Sequence, residues 1–508
     1  MDNFDVVIIG SGIGGLCCGS LLASRGKKVL ICESHSQPGG VAHTFTRNGY
    51  KFESGPSLWN GLESISNTSP LGQILYLLDE QIEVKKYKGW KVIVPEADFD
   101  LEVGDSPFRK KIQELRGDEA LNQWDSFMKA VKPLSRIIDK MPLLTTSPEN
   151  LNLQEILKLS IKVLPEISHA NNLRKGFGEI ANKFLTDPFL KNWVDLLSFL
   201  ISGMSMDDTN TAAMATLFNE WFKPNAYLEY PLGGSESVVN ALIRGFKKNG
   251  GKLLLSSKVK NINFSNEFAT GVTLENNETI NSEFIVANCD IWNKHSLIPS
   301  HLISKFKDKE FNVEKCKSFL HIHLGFDATN IKDLPIHTIW VDDWERGITA
   351  ERNIAVFSIP SVLDPSMAPK GKHVLHGYTP ANEPWEIWEN LKPNSKEYND
   401  LKEDRCEVFM KPLRGIIPDI DKRIELKMLG TPVTHQRFTN TYCGSYGPAI
   451  SARKSLFPGY KTPFENVLAC GASTFPGIGI PAVAASGAYA AEAILGKKEF
   501  KEIISKLN

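Results

Sequence analysis

Along this chain the apolar residues take two recurrent arrangements, unbroken runs of four or five and stripes at helical spacing. The run Val6-Val7-Ile8-Ile9 reads as a strand buried on both faces, and it stops at Gly10. Residues 13–25 read as a helix, and 28–32 as a second buried strand that delivers Glu33. The same order of elements returns near the C-terminus. Residues 466–471 predict a short strand, and 481–495 a helix of small residues, with Pro481 in its first turn and Gly496 past its end. In the middle, Val238, Val239, Leu242, Ile243 and Phe246 recur at helical period over 235–248, just after Tyr230-Pro231-Leu232-Gly233-Gly234. Strands are expected at 252–256, 259–264 and 271–274, with a turn at 267–270, and a further buried strand at 284–288.

The remaining segments have another character. Strands are expected at 90–94 and 99–103, a mostly helical stretch over 106–225, and strands again at 319–326, 338–341, 354–359 and 373–378. Apolar helix faces such as Ile156, Leu157, Ile161 and Leu164 mark the helical part. On 319–326, alternation puts Phe319, His321 and His323 on one face and Leu320, Ile322, Leu324 and Phe326 on the other. No third ligand stands at useful spacing from the two histidines, so pocket-lining or structural roles are expected and no metal. The two sets of segments interleave. Residues 1–80, 226–310 and 425–508 are expected to form one domain, and 81–225 with 311–424 a second that carries a helical cap.

Charge and composition narrow the function. With 58 Lys plus Arg against 59 Asp plus Glu the net charge is −1, and no basic block appears, so nucleic-acid binding is not expected. The eight cysteines contain no CxxC pair and no zinc-like quartet, which fits a reducing compartment and no disulfide framework. No GxSxG or Cys/His signature points to a hydrolase. The first strand begins close behind Met1, so neither a signal peptide nor a transit peptide is expected. The apolar stretch 193–204 is interrupted by Asp195 and is too short to span a bilayer.

The chemistry concentrates at the two ends. Gly10-Ser11-Gly12-Ile13-Gly14-Gly15 fits GxGxxG between a strand and a helix. Gly10 makes the turn, Gly12 lets the backbone approach a pyrophosphate, and Gly15 lets helix and strand pack closely. The helix N-terminus, at Ile13 and Gly14, then offers free N–H groups and partial positive charge to phosphates. Glu33 is placed to accept both hydroxyls of an adenosine ribose. Ser34 and His35 follow it where an Arg would stand, so a 2′-phosphate is disfavoured. The fingerprint alone does not separate NAD from FAD, but the glycine pair Gly39-Gly40 allows another close backbone approach beside it. At the far end, Gly471-Ala472 leads through Gly479 and Ile480 into the alanine-rich helix, a second strand–turn–helix whose N-terminus can face an anion.

Two resemblances follow from these residues. Pro38-Gly39-Gly40, and then Thr46 to Ser57, resemble the flavin amine oxidase and carotenoid desaturase superfamily, whose second glycine pair lies near the FAD pyrophosphate and ribityl chain. Over the whole chain the sequence resembles the carotenoid isomerases (prolycopene isomerases) within it. That likeness is carried by Gly49-Tyr50-Lys51-Phe52-Glu53-Ser54-Gly55-Pro56-Ser57-Leu58, Ser318-Phe319-Leu320-His321-Ile322-His323-Leu324-Gly325-Phe326-Asp327-Ala328, Asp343-Trp344-Glu345-Arg346-Gly347, Thr431-Pro432-Val433-Thr434-His435-Gln436-Arg437-Phe438 and Ser473-Thr474-Phe475-Pro476-Gly477-Ile478-Gly479.

The implied fold is α/β, an FAD-binding Rossmann-like domain of glutathione-reductase and amine-oxidase type interleaved with an α+β substrate domain. The implied adenine contact is the backbone of Val259. Many relatives hold the ribityl chain with an Asp where this chain has Ala472, which leaves only backbone contacts there. The implied activity is FAD-dependent cis-to-trans isomerisation of poly-cis-lycopene, with reduced flavin and no net redox change. A turnover of about 10 s⁻¹ allows a barrier on the order of 16 kcal/mol, and rotation about an unperturbed polyene double bond should lie well above that. The π order must therefore be lowered, by transient protonation beside anionic reduced flavin or by reversible electron donation from it. Glu229 and His435 are the candidates for proton donor and orienting group.

An insoluble carotenoid implies peripheral attachment to a photosynthetic membrane, on its cytoplasmic side. Within 150–205, Trp193, Leu196, Leu197, Phe199, Leu200 and Ile201 are candidates for a membrane-facing entrance or for ordinary core. Two other readings stay open: a redox desaturase or saturase using the same cofactor cradle, and a non-enzymatic prenyl-binding escort protein.

Overall fold

The computed structural model describes residues 3–306, 313–455 and 457–507. Its first sheet has a parallel core. Asn3–Ile9 lies between Val29–Cys32 and Thr279–Ala287, and Lys252–Leu254 extends the sheet beyond Val29–Cys32. The nine-residue strand Thr279–Ala287 serves two ladders. Its last three residues pair in parallel with Val467–Ala469, while its first three pair antiparallel with Phe268–Leu274, which in turn pairs with Val259–Ser265. The turn of this hairpin is shorter than 267–270. Ser265 already faces Phe268, and Asn266 takes φ +55°, a left-handed conformation that closes a two-residue loop and lets the strand resume at once.

Three helices pack on the parallel core. Ile13–Ala23 is buried along its whole length, which is why it shows no polar face: Ser235–Lys248 and Ile480–Leu495 both lie against it. A Cβ at Gly487 would collide with the carbonyl oxygen of Gly14, so the small residues of Ile480–Leu495 permit a close helix–helix approach.

The second sheet runs, in order, Ile424–Gly430, His321–Asp327, Lys372–Tyr378, Ile354–Ser358, His337–Val341, Gly89–Val94 and Ala97–Glu102, antiparallel except between His337–Val341 and Gly89–Val94. Alternation along His321–Asp327 sends Ile322, Leu324 and Phe326 into a core shared with Phe409 and Leu413 of the helix Lys396–Ile416. His321 and His323 point to the other side.

The helical region resolves the two kinds of apolar stretch differently. In Pro188–Ser202, Trp193, Leu196, Leu197 and Phe199 are fully buried in a core with Phe108 and Trp124, and Phe108 stacks on Trp193 at 4.8 Å. Those four are core, not an entrance. Leu200 and Ile201, one turn later, are half-buried. By contrast the helix Leu153–Lys162 buries none of its residues, and Ile156, Leu157, Ile161 and Leu164 stand exposed. Among the described residues no helix is long and apolar enough to cross a membrane.

Candidate functional site

The parallel strands end at one edge of the sheet, and the loops leaving that edge line a cavity of about 1280 Å³. Gly10, Gly12 and Ile13 come from the first strand, Glu33 and Ser34 from the second, Asn288 from Thr279–Ala287, and Gly471 and Ala472 from Val467–Ala469. Gly39, Gly40, Val259, Gly479 and Ile480 line the same cavity. Loops more than 400 residues apart in the chain thus share one wall. Gly14 and Gly15 lie behind it, in the packing.

The backbone explains the glycines. Gly10 turns with φ +99° and its N–H donates to the Cys32 carbonyl at 2.8 Å. Gly39 donates to the Ser11 carbonyl at 3.1 Å, and a Cβ at Gly40 would stand 3.1 Å from the Gly12 Cα, so the glycine pair lies directly on the first loop. The helices Ile13–Ala23 and Ile480–Leu495 both begin at a glycine, with no side chain capping the first turn. Their N-terminal N–H groups therefore remain available to an anion.

Asn288 joins the two loops. Its side-chain Nδ2 donates to the Gly10 carbonyl at 3.1 Å, and its backbone N–H donates to the Ile9 carbonyl at 2.9 Å. Added Cβ atoms at Gly10, Gly12, Gly14, Gly15 and Gly471 would each lie within 3.1 Å of an Asn288 atom. The glycines at both chain ends make room for this one residue as well as for any ligand. Sequence reading passed over Asn288; the signal was a polar residue ending a buried strand at the ligand-binding edge of a doubly wound sheet.

Glu33 is already engaged. One carboxylate oxygen accepts from the Ser11 N–H at 2.8 Å and the Ser11 hydroxyl at 2.7 Å, and the other from the His35 N–H at 2.8 Å and the Ser34 hydroxyl at 3.2 Å. The two hydroxyls rotate freely, so a ribose diol can replace them while the two backbone bonds stay.

Beyond these loops the cavity becomes apolar, with Leu200, Ile201, Leu217, Trp221, Ile339 and Val356 in its wall. Phe319, His321 and Tyr378 also reach it. His321 sits in a buried group of imidazoles, its ring 5.4 Å from His323, 5.5 Å from His376 and 4.9 Å from His435. Burial holds His323 at about 4, His376 and His435 at about 3, and His321 well below its ordinary value, so all four are neutral at pH 7. Neutral His323 donates through Nε2 to the Glu53 carbonyl at 3.1 Å. Among the described residues no group of His, Cys, Asp or Glu has the geometry to hold a metal.

Glu229 and His435 both lie outside the cavity wall. Glu229 is fully buried; its Oε2 accepts from the Leu62 N–H at 2.6 Å, and burial raises its carboxyl. It ties the strand Leu228–Pro231 to the segment around Trp59, whose carbonyl accepts from the Glu229 N–H. His435 stacks on Phe319 at 3.9 Å and touches His321, so it stands one contact behind the wall.

The flavin containing amine oxidoreductase family model matches residues 13–495, and the chain belongs to that family. Prolycopene isomerase 2, chloroplastic, from an Oncidium hybrid cultivar is 29% identical, with 99% of this chain and 85% of that protein covered. All-trans-retinol 13,14-reductase from Danio rerio is 26% identical, with 92% of this chain and 82% of that protein covered. The crystal structure of an oxidoreductase from Methanosarcina mazei matches with TM-score 0.60 at 17% identity, covering 96% of this chain and 99% of that one, a likeness of fold.

Proposed function

On the premise of that family membership, we propose that the protein holds FAD across its two glycine loops and isomerises a poly-cis carotenoid, prolycopene to all-trans-lycopene, without net redox change. The observation that carries this reading is one cavity that is polar and glycine-lined at the strand ends and apolar beyond them. The similarity to a prolycopene isomerase supports the substrate class. A cofactor contact set of Gly10, Gly12, Ile13, Gly14, Gly15, Glu33, Ser34, Gly39, Gly40, Val259, Gly471, Ala472, Gly479 and Ile480 fits the cradle, with Gly14 and Gly15 acting through packing. FAD in its reduced form would supply the electron density that lowers the π order of the polyene.

The chain's own residues do the rest. The uncapped N–H groups at Ile480 favour negative charge beside them. The apolar wall keeps water from the polyene and strengthens every charge interaction inside. His435 orients His321, and Glu229 holds the segment near Trp59; both are positioning residues. The segments 1–80, 226–310 and 431–508 serve as the FAD-holding unit, and 81–225 with 311–430 as the substrate unit; the expected boundary at 425 moves to 431 because Ile424–Gly430 pairs with His321–Asp327 at the edge of the second sheet. A water-insoluble substrate also implies peripheral attachment to a photosynthetic membrane.

An anaerobic assay of the dithionite-reduced holoenzyme with poly-cis-lycopene tests the reading. An all-trans product of unchanged mass is expected. The second reading, a redox desaturase or saturase, is favoured by the similarity to a retinol reductase. A gain of two hydrogens in that assay would establish a saturase instead, and a loss of two hydrogens with the oxidised holoenzyme and a quinone acceptor would establish a desaturase.

A further inference from the structure

Six of the exposed large apolar side chains, Leu153, Ile156, Leu157, Ile161, Leu164 and Ile167, fall within the helix Leu153–Lys162 and the 3₁₀ segment Leu164–Arg174 that follows it. At about 100° per residue, the exposed apolar residues from Ile156 to Ile161 keep to an arc of about 140°, a contiguous face and not singly scattered apolar residues. The two acids of the stretch face inward. Glu155 is drawn to Lys497 and Lys501, which help hold it at about 2, after its capping bond to the Asn152 N–H, and buried Glu166 pairs with Lys140 at 2.7 Å. Lys158, Lys162 and Arg174 are exposed and have no ion-pair partner among the described residues. The outward face is thus apolar with a cationic flank. Leu151, Leu159 and Leu173 beside this face line the cavity, and exposed Arg174 borders both. The exposed face and the cavity wall are two sides of one helical pair.

We propose that this face docks on an anionic lipid bilayer, with its apolar arc among the acyl chains, Lys158, Lys162 and Arg174 at the headgroups, and the cavity opening beside it. The inference rests on the polyene reading above, because an insoluble substrate needs this route. The fit is that of an amphipathic interfacial helix: an apolar arc, basic flanks and no span. A second copy of the chain would bring two such cationic flanks into one contact while both acids of the segment are already paired, which disfavours it.

The test is flotation of the FAD-loaded protein with phosphatidylcholine vesicles, with and without about 30 mol% phosphatidylglycerol. The wild type is expected to float with the anionic vesicles. Leu157→Glu/Ile161→Glu should lower partitioning at least tenfold. Lys158→Ala/Lys162→Ala should lower it about 25-fold on anionic vesicles, at roughly fivefold per basic residue, and leave phosphatidylcholine binding unchanged. These side chains are exposed, and unchanged circular dichroism with retained flavin absorbance confirms the fold of each variant. No binding by the wild type, equal binding by either variant, or a wild-type dimer that Leu157→Glu/Ile161→Glu makes monomeric overturns the proposal. Polyene turnover in detergent separates the two ideas. Turnover without vesicle binding removes the docking face alone, and vesicle binding without turnover removes the substrate reading alone.

Discussion

Replacing Asn288 by Ala isolates the tie between the two ends of the chain. In the wild type, Asn288 Nδ2 is the hydrogen-bond partner of the Gly10 carbonyl, at 3.1 Å, and the side chain fills the space left by Gly12, Gly14, Gly15 and Gly471. The variant leaves that carbonyl without its partner, a loss of about 1–3 kcal/mol. None of the surrounding glycines has a side chain to fill the gap. If the loosened loop must be re-ordered by cofactor, the whole loss appears in binding, and the FAD dissociation constant rises about 5- to 150-fold. Deflavinated protein titrated with FAD, followed by quenching of flavin fluorescence, measures this directly. Asn288→Asp keeps the shape but turns an acceptor toward the Gly10 carbonyl, so it should bind FAD at least as poorly as the Ala variant. A dissociation constant within twofold of wild type in both variants would refute the reasoning, because the cradle would then hold its shape without this residue.

Two further predictions follow from buried charge. Glu53 is buried and bonded by the Ser235 N–H and hydroxyl and by the Tyr230 hydroxyl, yet burial pushes its carboxyl from an ordinary 4.5 up to about 6. The fold therefore holds this proton more tightly than the unfolded chain does. Its stabilising share is complete below about pH 4.5 and is lost through about pH 6, a difference of about 2 kcal/mol. Urea unfolding from pH 4.5 to 7 should show that fall in the wild type relative to Glu53→Gln, and parallel profiles would discard the assignment. Buried Glu383 accepts from Arg405 at 2.7 Å and from the Trp388 indole at 2.8 Å, while Arg405 also reaches the more exposed Glu351. Glu383→Ala should cost about 3 kcal/mol in denaturant unfolding, the low end for a broken buried pair because Glu351 remains. Glu383→Leu/Arg405→Met should recover most of it, and a loss under about 1 kcal/mol in the single variant would contradict the pairing.

The local rules of the chain were readable because they act over a few residues. A glycine with positive φ, a helix that must start without a side-chain cap, and an acid at a strand end are all set by neighbours in sequence. Gly10 at φ +99°, Gly479 at φ +104° and Glu33 at the cavity are of this kind. The histidine alternation on His321–Asp327 was legible too, since a strand fixes its faces with period two.

Tertiary packing decided what periodicity leaves open. Trp193, Leu196, Leu197 and Phe199 and the set Ile156, Leu157, Ile161 and Leu164 are all apolar, yet the first set is sealed against Phe108 and Trp124 and the second stands exposed. Hydrophobicity gives the free energy of leaving water but not what covers the surface, which depends on elements far away in sequence. The same holds for Asn288, which acquires its role only where strands from both chain ends stop side by side, and for Glu229, which pairing across to Trp59 turns away from the cavity. Sequence determined the turns and the faces; the contacts between distant segments determined which of them meet.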